Sequence, residues 1–92
     1  MTETMKHDAA ARRYSLIIDG AEAGYADYVE TGSIRDFNRT VTDPDHRGKG
    51  VAGKVVRYAL DDSRAAGFSI VPSCPFVDGY IGKNPEYKDL LA

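Results

Sequence analysis

The run Arg47-Gly48-Lys49-Gly50-Val51-Ala52 constrains the fold more than any other stretch of the chain. It joins an extended, β-rich segment to an amphipathic helical one. Glycine tolerates left-handed backbone, so a glycine-rich junction lets successive N–H groups face outward. The helix behind it adds the positive end of its dipole. Together these features predict a cradle for an anionic group, with a pyrophosphate the best match in size and charge.

With 92 residues the chain has room for one core and one domain. A domain this short buries only ~60–65% of its unfolded surface, so the fold must be economical. The net charge of −2 argues against a general nucleic-acid binder, which carries a basic excess. One cysteine, Cys74, excludes an intramolecular disulfide and fits a reducing compartment. Met1 to Ala11 is polar, without the apolar centre of a signal peptide, and no segment approaches membrane-spanning length. The expectation is a soluble cytoplasmic protein without nucleic-acid or membrane partners. Nothing in the apolar content separates a monomer from a dimer, and no cluster suggests a metal.

Met1 to Ala11 has no hydrophobic period and reads as a disordered tail, leaving residues 12–92 as the domain. From Tyr14 the pattern alternates through Leu16 and Ile18. Asp19-Gly20 is a tight turn and Tyr25 to Glu30 a second strand, so Arg13 to Glu30 reads as a hairpin. After Thr31-Gly32-Ser33, Ile34 to Thr42 forms a third strand that Asp43-Pro44 ends. Beyond the glycines, Ala52, Val55, Val56, Ala59 and Leu60 fall on one helical face, with Lys54, Arg57, Asp61 and Asp62 away from it. Gly67 stops this helix. Phe68 to Val71 is then a short strand, expected parallel to the third because a helix separates them. Pro75 opens a short helix towards Tyr80, Asn84-Pro85 breaks it, and Glu86 to Leu91 gives a last helical turn.

Three phosphate-binding patterns compete for the glycine run. Gly48, Gly50 and Gly53 satisfy the dinucleotide pattern, but that pattern needs an acid about 20 residues on, where the chain has Pro72-Ser73. Gly48, Gly53 and Lys54 satisfy most of a nucleotide triphosphatase loop, but Val55 cannot ligate magnesium as Ser or Thr would. The third pattern, Arg/Gln-x-x-Gly-x-Gly/Ala, is filled by Arg47, Gly50 and Ala52. A plain strand-to-helix connection would need no such glycines, whose backbone entropy is costly.

On that third pattern the chain resembles the GNAT superfamily of acyl-CoA-dependent N-acetyltransferases, and within it a short single-domain group with a Pro-x-Cys-Pro motif. The resemblance runs from about Tyr14 to Leu91. It rests on the Asp19-Gly20 hairpin, on Thr42-Asp43-Pro44 leading into the Arg47 loop, on Pro72-Ser73-Cys74-Pro75-Phe76-Val77 with Tyr80, and on Asn84-Pro85-Glu86-Tyr87. It implies an α+β fold (mixed α/β), with antiparallel strands, then β-α-β with a splayed parallel pair, then short C-terminal helices. It also implies that acetyl-CoA is cosubstrate, with its pyrophosphate on the amides of Arg47, Gly48, Lys49, Gly50, Val51 and Ala52. The pantetheine arm would run between the third and fourth strands, held near Thr40, Val41 and Thr42. Lys54 and Arg57 would reach the ribose phosphate or simply form a solvated face. Asn84 would touch the coenzyme or cap the following turn.

An amine attacking a thioester needs a proton acceptor and a proton donor for the departing sulfur. Cys74 and Tyr80 are the catalytic candidates. Cys74 precedes a helix start, which lowers a thiol pKa, and can serve as base, acid or acyl-carrying nucleophile. A small buried core cysteine is the competing reading, as a packing aromatic is for Tyr80. Many relatives carry a histidine where Arg39 precedes Thr40, so a histidine base is absent there. His46 would meet phosphate or solvent, and His7, in the tail, has no assigned role.

The leading expectation is therefore an acetyl-CoA-dependent N-acetyltransferase acting on an amine: a protein lysine, an amino terminus or a small polyamine. The alternatives are a CoA-binding interaction or regulatory module with weak or no catalysis, and a structural domain without a ligand.

Overall fold

The computed structural model describes residues 2–92. Its elements in order are β1 (Glu3–Asp8), β2 (Arg13–Ile18), β3 (Ala21–Thr31), β4 (Ile34–Thr42), a 3-10 turn (Pro44–His46), α1 (Val51–Ala65), β5 (Ser69–Val71), α2 (Pro75–Lys83) and a last 3-10 turn (Pro85–Leu90). The strands form one five-stranded sheet in the order β1-β2-β3-β4-β5. Neighbours are antiparallel except β4 and β5, which run parallel as the intervening helix requires. The α+β architecture with short C-terminal helices agrees with expectation.

The β2–β3 hairpin turns through Asp19 and Gly20, both at positive φ, and Gly67 (φ 84) ends α1 in left-handed backbone. Helix α1 buries Val51, Val55, Val56, Ala59, Leu60 and Ser63 on the sheet. With Tyr14, Leu16, Phe37 and Ile70 from the strands, and Val77 and Ile81 from α2, they make one core. Each such fully buried large apolar side chain contributes ~1.5–3 kcal/mol of transfer free energy. Ala52, expected on the buried face, is only half-buried at its edge.

The tail reading is corrected. Met1 lies outside the described residues, but Glu3–Asp8 is an edge strand in full register with β2, from Glu3 opposite Ile18 to Asp8 opposite Arg13. Side chains rather than apolar periodicity hold it. The His7 imidazole stacks on Tyr14 at 4.0 Å and 6°. Its Nε2 lies 2.6 Å from the Tyr28 hydroxyl and its Nδ1 3.5 Å from Asp62 on α1. Glu3 takes both its oxygens to Lys54 of α1 (3.0 and 3.1 Å).

His7 thereby joins a polar cluster around Arg35, which is 5% exposed. The Arg35 guanidinium donates to Glu30 (3.2 Å), the Tyr14 hydroxyl (2.6 Å) and Ser63 (3.0 Å), and lies 3.9 Å from the centre of the Phe68 ring. The Tyr14 hydroxyl donates onward to Asp62 (2.6 Å). Such a buried cation is tolerated only because its donors are engaged; removing one partner of a buried pair costs about 3–5 kcal/mol.

Gly24 of β3 sets where the start of α1 sits. A Cβ there would stand 2.5 Å from Val51 Cγ1 and 2.9 Å from the Val41 carbonyl oxygen. Only a bare Cα lets the first turn of α1 close onto the ends of β3 and β4.

Gly24→Ala should therefore destabilise by about 1–3 kcal/mol through overpacking. The Tm would fall by roughly 4–8 °C per kcal/mol lost, read by thermal melting. An unchanged Tm would mean that the helix start is not pinned there. A second expectation concerns pH. Burial first, and Arg35 second, hold the His7 pKa below 6.5, against the pull of Asp62, Asp8 and Glu30. The fold thus favours neutral His7, and the unfolded chain takes up the proton first. This contribution is complete above about pH 6.5 and is lost as pH falls from there through the folded-state value. The decline of Tm with acidification should be shallower in His7→Phe than in the wild-type chain, and superimposable profiles would contradict it.

Candidate active site

The Arg47 loop reaches the helix as its glycines suggest. Gly48 (φ 80) and Gly50 (φ 70) are left-handed, and Gly50 is the residue before α1. The first helical bond runs from the Lys54 amide to the Gly50 carbonyl (3.1 Å). The amides of the preceding turn, Val51 to Gly53, are the helix's unpaired donors. Arg47 and Lys49 are exposed, and neither has a carboxylate within 4.0 Å among the described residues. A hollow of about 230 Å³ opens here, lined by Thr42, His46, Gly48, Gly50, Ala52 and Phe76 among others. His46 is turned to Asp43, 2.9 Å from its carboxylate.

The parallel pair β4–β5 is matched only from Ile34–Asp36 to Ser69–Val71. One more bond follows, from the Cys74 amide to the Phe37 carbonyl (2.8 Å), and the two segments then part. Pro72 and Pro75 have no N–H with which to continue the ladder. On the other side, β4 is bulged. Asp27 pairs with Arg39 but Tyr28 pairs with Phe37, so Asn38 is the extra residue. The splay expected between these strands is thus present, with Thr40, Val41 and Thr42 along one wall and Cys74 at its base.

Cys74 is buried and forms the N-cap position of α2. Its Sγ lies 3.4 Å from Thr40 Oγ1. Burial pushes the thiol pKa up, but hydrogen bonds from the Thr40 hydroxyl and from the amides of Val77, Phe76 and Thr40 outweigh it, leaving the pKa below the ordinary thiol value. Cys74 packs in the core, as the competing reading expects, at a position that borders the splay.

Tyr80 packs partly buried against the core, with its ring edge facing Gly53 of α1. Burial raises its phenol pKa, offset in part by Arg57. Its hydroxyl has no hydrogen-bond partner among the described residues, so it is free to donate a proton. With Pro75, Phe76, Gly79 and Lys83 it lines a second hollow of about 240 Å³.

Other assignments change. Lys54 is engaged by Glu3, and Arg57 lies 4.0 Å from Asp61, so these cations are not directed to the loop. Asn84 does not cap the next turn. Its side-chain amide donates to the Tyr80 carbonyl (2.9 Å), closing α2, and it lines neither hollow. The loop residues and Thr42 share one hollow, Cys74 and Thr40 meet at the splay, and Tyr80 flanks α1.

Phe76 was not singled out from the sequence as a site residue. It is 43% exposed and lines both hollows. An aromatic directly after the helix-opening Pro75, on the polar side of α2, was the available signal. Asn38 carried none, because a bulge has no residue signature in a polar strand. Among the described residues no group of His, Cys, Asp and Glu is placed to hold a metal ion.

Comparison with known proteins bears on the fold and the family. Residues 13–90 match the family model described as GCN5-related N-acetyl-transferase. No curated protein sequence matches the chain. A GCN5-like protein from Staphylococcus aureus superposes with a TM-score of 0.74 at 16% identity, over 97% of this chain and 87% of that one. The ribosomal-protein-alanine N-acetyltransferase of Brucella melitensis biovar Abortus gives 0.59 at 20% identity, over 94% and 66% of the two chains. N-acetylglutamate synthase from Neisseria gonorrhoeae, solved with coenzyme A and N-acetyl-glutamate, gives 0.61 at 15% identity; 85% of this chain aligns with only 22% of that enzyme. At these identities the structural likeness establishes the fold, and the family model establishes the relationship. The chain belongs to the GCN5-related N-acetyltransferase family of enzymes.

Proposed function

We propose that this enzyme transfers an acetyl group from acetyl-CoA to an amine, with the pyrophosphate on the Arg47 loop and the thioester in the splay between β4 and Cys74. The observation that carries this reading is the alignment of three features along one path. These are the free amides and unpaired cations of Arg47 to Gly53, the hollow that joins them to Thr42, and the gap that opens after the Cys74–Phe37 hydrogen bond. The residues fit the group. A Cβ on Gly48 or Gly50 would meet nothing within 4 Å, so the loop presents backbone rather than a filled turn.

Acetyl-CoA supplies the activated acyl group. The chain's own residues do the rest. Arg47, Lys49 and the first-turn amides of α1 neutralise and orient the phosphates. Beyond the bulge, β4 keeps β3 but has lost its β5 partner, so the backbone groups that point to the β5 side, apart from the Thr40 amide held by Cys74, are open to polarise a carbonyl oxygen as its charge grows. When the amine nitrogen bonds to the acyl carbon and the C–S bond breaks, one proton leaves nitrogen and one reaches sulfur. Cys74, held below the usual thiol pKa by Thr40 and nearby amides, is placed to take or return a proton at Sγ. Tyr80, its hydroxyl unpartnered and its pKa raised, is the group to donate one to sulfur.

If this is right, acetyl-CoA raises the Tm, by an increment equivalent to about 2.7 kcal/mol at 100 times its Kd. Arg47→Ala should reduce that shift, and an unshifted wild-type protein would remove the basis of the reading. Cys74→Ala should keep the thermal shift and lose thiol release over a panel of amines by about 10²–10⁴-fold, the usual range for a proton-transfer group. Full turnover in that variant would return Cys74 to packing alone. Thr40→Val removes the hydroxyl that stabilises the thiolate, so the thiolate absorbance of Cys74 should titrate at higher pH than in the wild type.

A further inference from the structure

The acceptor side can be read from the faces of the sheet. Tyr14, opposite Ala26 and in line with Thr40, bonds α1 through Asp62, so these residues face the helices. The rungs on either side of it, one of Arg13, Asp27 and Arg39 and the other of Ser15, Tyr25 and Val41, turn to the opposite, uncovered face. The helix-side face is filled by α1 and α2. The uncovered face is the side of the sheet that no helix occupies, and Arg39 stands exposed on it beside Thr40.

Of the arginines on the sheet, Arg13 and Arg35 are held by carboxylates and Arg39 is exposed without one. Arg13 takes both oxygens of Asp27 (2.7 and 3.1 Å) and approaches Glu22 (3.6 Å). Asp27, the cross-strand neighbour of Arg39, is thereby saturated. Among the described residues Arg39 has no carboxylate within 4.0 Å. The two guanidiniums instead flank the Tyr25 ring, Arg13 at 3.6 Å and Arg39 at 5.8 Å from its centre. Arg39 also stands directly between the bulge residue Asn38 and Thr40, which touches Cys74. On the same face, before the bulge, Asp36 Oδ1 is enclosed without a hydrogen-bond partner, a state that buried polar atoms rarely keep unless a further donor completes them.

Resting on acetyl transfer at this splay, we propose that Arg39 selects the acceptor, and that the acceptor is an amine bearing a carboxylate. Arg39 grips the carboxylate through its planar fork while Tyr25 backs the guanidinium. A polyamine lacks the anion and meets a like charge at Arg39, Arg13 being already neutralised by Asp27 and Glu22. The carboxylate can belong to a free amino acid or to an acidic side chain near a peptide's amino terminus.

Matched acceptors test this: lysine against cadaverine, phenylalanine against phenethylamine, and a C-terminally amidated tetrapeptide with Asp against one with Ala at its second residue. Thiol release is the kinetic readout. Calorimetric binding of the same compounds in the presence of coenzyme A, without an acetyl group, is the second. The expected result is at least a tenfold preference in kcat/KM and in Kd for the carboxylate member of a pair. Arg39→Ala should bring that ratio towards one, mainly through KM, and Arg39→Lys should restore part of it. A preference confined to the amino acids, or to the tetrapeptides, identifies the source of the carboxylate. A ratio near one in the wild type, or a ratio unchanged in Arg39→Ala, overturns the proposal and leaves acetyl transfer standing. No thiol release with any amine, despite stabilisation by acetyl-CoA, overturns both.

Discussion

The hydrogen bond from the Cys74 amide to the Phe37 carbonyl, 2.8 Å long, is the point at which the parallel strand pair ends. Two prolines that cannot donate and a bulge at Asn38 force the strands apart just beyond it. A parallel sheet normally repays its crossover with a continuous ladder. Here the ladder stops after three matched residues on each strand, and Thr40 to Thr42 keep β3 as a partner on one side with no strand on the β5 side. The position of Cys74 follows from the same bond, because the residue that ends the ladder also starts α2.

A second constraint aligns the loop with this gap. Gly24 allows Val51 to sit directly on β3, so the donor-rich start of α1 lies at the same end of the sheet as the splay. The opposite end is closed by the Arg35 cluster, whose bonds to Tyr14 and Ser63 tie β4 to β2 and α1. The sheet is thus polar on two unlike sites: a buried, satisfied network that holds the edge strand, and an open edge that awaits a partner.

The sequence revealed what depends on local pattern. The apolar period of α1, the Asp19-Gly20 turn, the proline at the start of α2 and the parallel sense of β5 all follow from short-range rules, and each is present. It hid what depends on distant side chains. Strand β1 presents only Met5 and His7 inward, and neither marks a strand by periodicity; its partners Tyr14, Tyr28 and Asp62 lie far along the chain. Lys54 reads as a free helix cation until Glu3 is brought beside it. The loop was legible because glycine advertises its backbone conformation. Arg39 and Asp36 were not, because an unpaired charge is defined by the neighbours it lacks.

The central claim is that one ligand spans the Arg47 loop and the splay. Amide resonances report it most directly, through titration of the ¹⁵N-labelled protein with acetyl-CoA. The account predicts the largest shifts at Gly48 to Gly53, together with Thr40 to Thr42 and Cys74, saturating along one binding curve. Shifts confined to the loop, or centred away from both segments, would contradict it.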